Sequence, residues 1–84
     1  MTLAERGIHR NDTVRHFKGN LYVVDRVAIH SETGEPFVVY HSVDNPYKAY
    51  IRPEEMFCSE VDRDKYPDVP QKYRFERCSD EFTL

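Results

Sequence analysis

The chain has no tryptophan, two cysteines, three glycines and five prolines among its 84 residues, and each scarcity excludes something. With so little glycine there is no G-x-G-x-x-G or G-x-x-x-x-G-K-[ST] run, hence no backbone cradle for nucleotide phosphates. Cys58 and Cys78 stand outside any C-x-x-C spacing, so neither a zinc ribbon nor a thioredoxin-like redox pair is spelled out. A disulfide between them would close a loop of about twenty residues and stabilise by about 3 kcal/mol in the chain-entropy picture. A reducing compartment argues against it, and both thiols are expected to be free. No apolar run approaches the roughly 18 residues of a membrane helix, and Met1 to Arg10 lacks the apolar centre of a secretory signal. The expectation is a cytoplasmic protein with no membrane partner.

A general excess of positive charge is also missing. The net charge is -3, with seven Lys and Arg against six Asp and Glu in residues 1–52 and five against nine in residues 53–84. Nucleic-acid binding by phosphate neutralisation needs clustered cations, which only a local patch of Arg15, Lys18, Arg26, Lys48 and Arg52 would supply. What is present is the composition of a small folded globule: 39% hydrophobic, 32% charged and 13% aromatic residues. At this size one core is expected and two would each be too small to fold unaided.

Residues 1–12 hold too short a pattern for a helix and end in the turn-forming pair Asn11-Asp12, which reads as a loosely held arm. Thr13 to Phe17 is extended, and Lys18-Gly19-Asn20 reverses the chain into the β-rich run Leu21 to Ile29. Along that run Tyr22 and Val24 share one parity and Val27 and Ile29 the other, so a bulge near Asp25-Arg26 is needed to turn all four inward. Ser31 to Pro36 is a turn cluster before a third strand, Phe37 to Val43. After Asp44-Asn45-Pro46, residues Tyr47 to Arg52 alternate Tyr47, Ala49 and Ile51 against Lys48, Tyr50 and Arg52, which predicts a fourth strand with the first set inward. Pro53 opens a short helical turn favoured by Glu54 and Glu55, with Met56-Phe57 plugging the core.

Residues 59–72, with Pro67 and Pro70, read as a surface loop, and Tyr73 to Arg77 as a brief closing strand. A single domain over 13–77 and a polar tail over 78–84 with a lone Phe82 complete the division. Four to five short strands, one helical turn and no α/β alternation predict an all-β fold, a sheet rolled into a small barrel that removes its own edges.

The string Arg15 to Tyr22 (RHFKGNLY), then His30 to Gly34 (HSETG), Val38 to Tyr40 (VVY), Arg52-Pro53 with Met56-Phe57, and Arg74-Phe75 resembles the domain-of-unknown-function 1653 family of small bacterial proteins. These pieces cover roughly residues 13–76, and their order and spacing are specific where each alone is weak. The resemblance implies an SH3-like β-roll and no activity. Val14, Tyr50 and Val43-Asp44 depart from the Tyr, Trp and Leu-Tyr usual in the family, which reduces any aromatic surface built from those positions.

Three chemistries can be tried on the residues. His16, His30 and His41 fall on three strands or their ends, but no close ligand pair marks a metal site, and a histidine in a small sheet is ordinarily a hydrogen-bonded structural residue. Ser31 with His30 or His16 and Glu32 has the types of a hydrolase triad, yet neighbours in one turn rarely face each other. Local turn bonds, with Glu32 paired to Arg15 or Arg52, explain them better. No catalytic set, metal or cofactor is therefore assigned. The remaining constellation is His16, Lys18, His30, Glu32, Tyr40, Tyr50 and Arg52, whose Tyr and Arg members suit a binding groove. A non-enzymatic module for a protein or peptide partner is expected. The alternatives are a single-stranded nucleic-acid barrel using Arg15, Lys18, Lys48 and Arg52, and then a small enzyme.

Overall fold

Gly19, at φ 109°, takes the backbone through a left-handed position that a side chain would strain, and this turn sets the first hairpin. It joins β1 (Thr13–His16) to β2 (Leu21–Ile29), closed by the His16 N–H donating to the Asn20 carbonyl at 2.8 Å. The computed structural model describes residues 1–78. Three further strands follow, β3 (Pro36–Ser42), β4 (Ala49–Pro53) and β5 (Phe75–Arg77), with one helical turn, α1 (Glu54–Phe57), after β4. All pairings are antiparallel, in the order β4-β3-β2-β1-β5. The architecture is the all-β fold that the succession of short strands predicts. Its sheet curls without closing: β4 and β5 remain the two edges. Among the described residues no helix is long and apolar enough to cross a membrane. The C-terminal tail with Phe82 lies, from residue 79 on, outside the described residues.

The bulge in β2 falls where the parity of its side chains demands it. Val24 faces Tyr40 and Arg26 faces Val39, leaving Asp25 as the extra residue. This puts Val27 opposite Val38 on the same face as Val24. The inward face carries Val14, Val24, Val38, Tyr40 and Phe75, all buried, and Phe57 from α1 stacks on Phe75 with ring centroids 4.1 Å apart. Beyond Val24 the β2–β3 ribbon outruns this core, so Ile29, turned to the correct side, is still 61% exposed.

Three sequence expectations need correction. In β4 the parity is the opposite of the one expected: Tyr50 pairs with Tyr40 and Arg52 with Val38 on the core side, while Ile51 lies opposite Val39 on the outer face, 66% exposed. The inward residues of this edge strand are amphipathic, covering the core with ring and methylenes while their polar ends reach water. Apolar against polar is then a poor guide to inside and outside. Of the plug Met56-Phe57 only Phe57 is buried. The first twelve residues are not a loose arm but are stitched to the domain: Leu3 and Ile8 are buried, and the Asn11 N–H donates to the Val24 carbonyl at 2.7 Å. Burial of two aliphatic side chains contributes about 1.5–3 kcal/mol each against the ordering entropy of the segment.

The proline-bearing loop after α1 is folded back on the sheet. Val61 is buried, its N–H donates to the Lys72 carbonyl at 2.9 Å, and the Arg74 N–H donates to the Ser59 carbonyl at 2.9 Å. Arg63 holds the loop's interior by donating to the carbonyls of Val69 and Gln71. The two cysteines are unbridged, and burial pushes the Cys58 thiol up, keeping it protonated and inert.

Candidate functional site

Where β4 and β5 fail to meet, the roll leaves a cleft of about 240 Å³ lined by His16, Phe17, Lys18, Arg52, Asp62, Lys65, Tyr66 and Arg74. Three separate pieces of chain converge there: β1 and its turn, the end of β4, and the 59–74 loop that runs up to β5. Among the described residues, four cations and a single carboxylate face the space. Among the described residues none of Lys18, Arg52, Lys65 and Arg74 forms an ion pair. Asp62 is turned to its own loop, where its Oδ1 accepts the Asp64 N–H at 3.0 Å.

The two arginines are only lightly held. Arg52 Nε donates to the Tyr40 hydroxyl at 3.4 Å, with its guanidinium carbon 5.8 Å from the Phe75 ring centroid. Arg74 Nε donates to Ser59 Oγ at 3.4 Å. Both bonds are long for an N–H to oxygen contact and leave the remaining donors of each fork uncommitted. Lys18 extends over aromatic faces, its Nζ 5.5 Å from the Tyr66 centroid and 5.9 Å from that of Phe17.

His16 records the field of this cluster. Burial, followed by the charges of Arg52, Arg74 and Lys18, pushes its imidazole down to about 4, so that it is neutral at pH 7. Its Nδ1 accepts the Lys18 N–H at 3.1 Å. A neutral ring that accepts at Nδ1 carries its proton at Nε2, and His16 thus keeps one uncharged donor for the cleft.

Of the seven residues singled out in the sequence, the fold gathers five. His16, Lys18 and Arg52 line the cleft; Tyr40 is joined to it through Arg52, and Tyr50 packs on Tyr40 with centroids 5.6 Å apart. Tyr22 completes a ring cluster with both. Tyr40 is buried to its hydroxyl, whereas Tyr50 is 40% exposed. His30 and Glu32 sit elsewhere, in the β2–β3 turn, roughly 20 Å along the strand from Val24 at the usual rise per residue. There His30 Nδ1 accepts the Glu32 and Thr33 N–H groups at 3.2 and 3.3 Å, a turn-stabilising arrangement, and Glu32 pairs with neither Arg15 nor Arg52.

The three histidines considered for a metal do not converge. His41 is on the outer face, its Nδ1 2.8 Å from Asp25 Oδ1, while His16 is inward and His30 in the turn. Among the described residues no group of three His, Cys, Asp or Glu is placed to hold a metal ion. Sequence reasoning missed Phe17, Asp62, Lys65, Tyr66 and Arg74 as cleft residues. Only Arg74 carried a signal, as part of the Arg74-Phe75 pair.

Residues 12–77 match the family described as protein of unknown function (DUF1653). The chain belongs to that family. No curated protein and no solved structure matches it. The family matched here spans β1 to β5 and every residue of the cleft.

Proposed function

We propose that this DUF1653 protein is a non-enzymatic interaction module of the cytoplasm that takes an extended peptide of a partner protein along β4, with Tyr50 and Arg52 as anchors. The observation that carries this reading is the position of Arg52, which through Tyr40 joins the half-exposed Tyr50 to a cleft whose cations, among the described residues, form no ion pair. Tyrosine and arginine give large contact area with directed hydrogen bonds, and a side chain already resting on Tyr40 and Phe75 loses less freedom on binding. β4 is also a sheet edge, which suits addition of a further strand.

Two observations weigh against the alternatives. Of the four cations a nucleic-acid barrel would use, Lys18 and Arg52 reach the cleft, but Arg15 pairs across β1 with Leu21 on the outer face and Lys48 lies in the β3–β4 turn. They make no continuous track for a phosphate backbone. As for catalysis, an imidazole held near 4 is a weak base at pH 7.

The test is selection from a displayed random-peptide library, with affinities of the selected peptides then measured against wild type, Arg52→Ala and Tyr50→Ala. Peptides rich in Asp and Glu are expected, with each variant weakening them about tenfold or more. Peptides bound equally by all three proteins would overturn the surface. Failure of selection beside salt-sensitive binding of a single-stranded oligonucleotide would overturn the partner class.

A further inference from the structure

We infer that the cleft beneath Arg52 is a phosphoryl subsite, built to receive the phosphate monoester of a phosphorylated side chain on the bound peptide. This rests on the peptide-binding reading and assigns its acidic anchor. Among the described residues, Lys18, Arg52, Lys65 and Arg74 face the space against one carboxylate, and that carboxylate is engaged in its own turn. A single carboxylate ligand would leave most of this positive charge uncompensated. A phosphate monoester carries a charge of about -1.5 to -2 at pH 7 and brings three acceptor oxygens.

Donor geometry points the same way. Two guanidinium forks, each using only one long bond within the protein, can engage oxygens in pairs, and Lys18 supplies a movable point charge. His16 adds a neutral Nε2–H, since its Nδ1 is occupied by the Lys18 amide. Partly buried and facing the charges of Arg52, Arg74 and Lys18, the ring resists a second proton there. An arriving anion offsets that repulsion, so binding is coupled to His16 titration. Phe17 and Tyr66, in edge contact at 4.9 Å, wall one side and favour a ligand whose phosphate hangs from an aromatic ring.

The test uses the full chain and small probes: phenyl phosphate, inorganic phosphate and benzoate, followed by amide and histidine NMR at pH 7.5. The expected result is saturable shifts confined to residues 16–18, Arg52 and 62–74 with phenyl phosphate, weaker binding of inorganic phosphate, and benzoate weaker by about tenfold or more. The His16 imidazole should titrate at higher pH with phenyl phosphate present. Lys18→Gln, a change on an exposed turn that leaves the fold intact, and Arg74→Gln should each weaken the probe about tenfold, and Lys48→Gln should not. Equal affinity for benzoate would overturn the phosphoryl assignment, as would shifts scattered over all surface cations, which mean an adventitious ion only. Tyr50-dependent peptide binding without any phenyl phosphate binding would sink this inference and leave the interaction module standing. Loss of both would sink the two together.

Discussion

Two arginines come up to Phe75, Arg6 at its carbonyl and Arg52 at its ring, and they differ in what surrounds them. Arg6 is built in: its guanidinium lies 3.4 Å over the Tyr73 ring and donates to the Phe75 carbonyl at 3.0 Å and the Cys58 carbonyl at 3.3 Å. Beside it the buried Glu54 carboxylate accepts the Leu3 N–H at 2.9 Å. Arg52 has one long bond to a hydroxyl and shares its surroundings with three other cations. The first region spends its polar groups on the fold. The second leaves them for something else. Side chains of the same type thus divide by what has already been satisfied within the fold, a distinction that composition cannot draw.

The largest effect expected is on the built-in side. Ile8→Ala, at a position 2% exposed, should cost about 2–4 kcal/mol in denaturant unfolding, and a value under about 1 kcal/mol would show that residues 1–12 are not part of the core. Glu54→Ala should cost about 1–3 kcal/mol by leaving the buried Leu3 N–H without its acceptor. A loss confined to the lower end would mean water replaces the carboxylate.

These two predictions bear on what the sequence could and could not show. The alternation of Tyr22, Val24, Val27 and Ile29 predicted a bulge at Asp25-Arg26, because side-chain parity in a strand is a local property. The turn at Gly19 and the breaks after Ser31 and Asp44 were legible for the same reason. Burial of Leu3 and Ile8 was not, since it depends on where α1 and β5 stand in space. In β4 the pattern misled: Tyr50 and Arg52 point inward and Ile51 outward because β3 fixes the register. The site divides likewise. His16 and Lys18 are neighbours in the chain, and Arg52 was picked for its chemistry, but Lys65, Tyr66 and Arg74 enter only through a loop returned by the Val61 to Lys72 bond. His30 and Glu32, grouped with them by type, are kept away by the length of the β2–β3 hairpin.

Acid titration sharpens the comparison from the cleft side. The folded imidazole of His16 is lowered from 6.5 to about 4, so the unfolded chain binds its proton first as the pH falls. The stability tied to the neutral ring is complete above pH 6.5 and is lost progressively as the pH falls toward 4. His16→Gln should flatten this part of the pH–stability curve, read by thermal unfolding at fixed ionic strength. An unchanged slope would show that neither burial nor the cations hold the proton off the ring. The smallest expected effect is that of Lys18→Gln, which should alter stability by no more than about 0.5 kcal/mol, an exposed charge with no acid to lose. A larger destabilisation would reveal that Lys18 holds the cleft together through the Phe17 and Tyr66 rings.

The most direct measurement compares the two arginines themselves, by equilibrium unfolding of Arg6→Gln and Arg52→Gln in urea at pH 7. The account requires a loss of about 1–3 kcal/mol for Arg6→Gln, which leaves two carbonyls and a ring without their cation, and a change within about 0.5 kcal/mol for Arg52→Gln. Equal losses for the two would contradict it, since Arg52 would then be a structural residue and the cleft a consequence of packing.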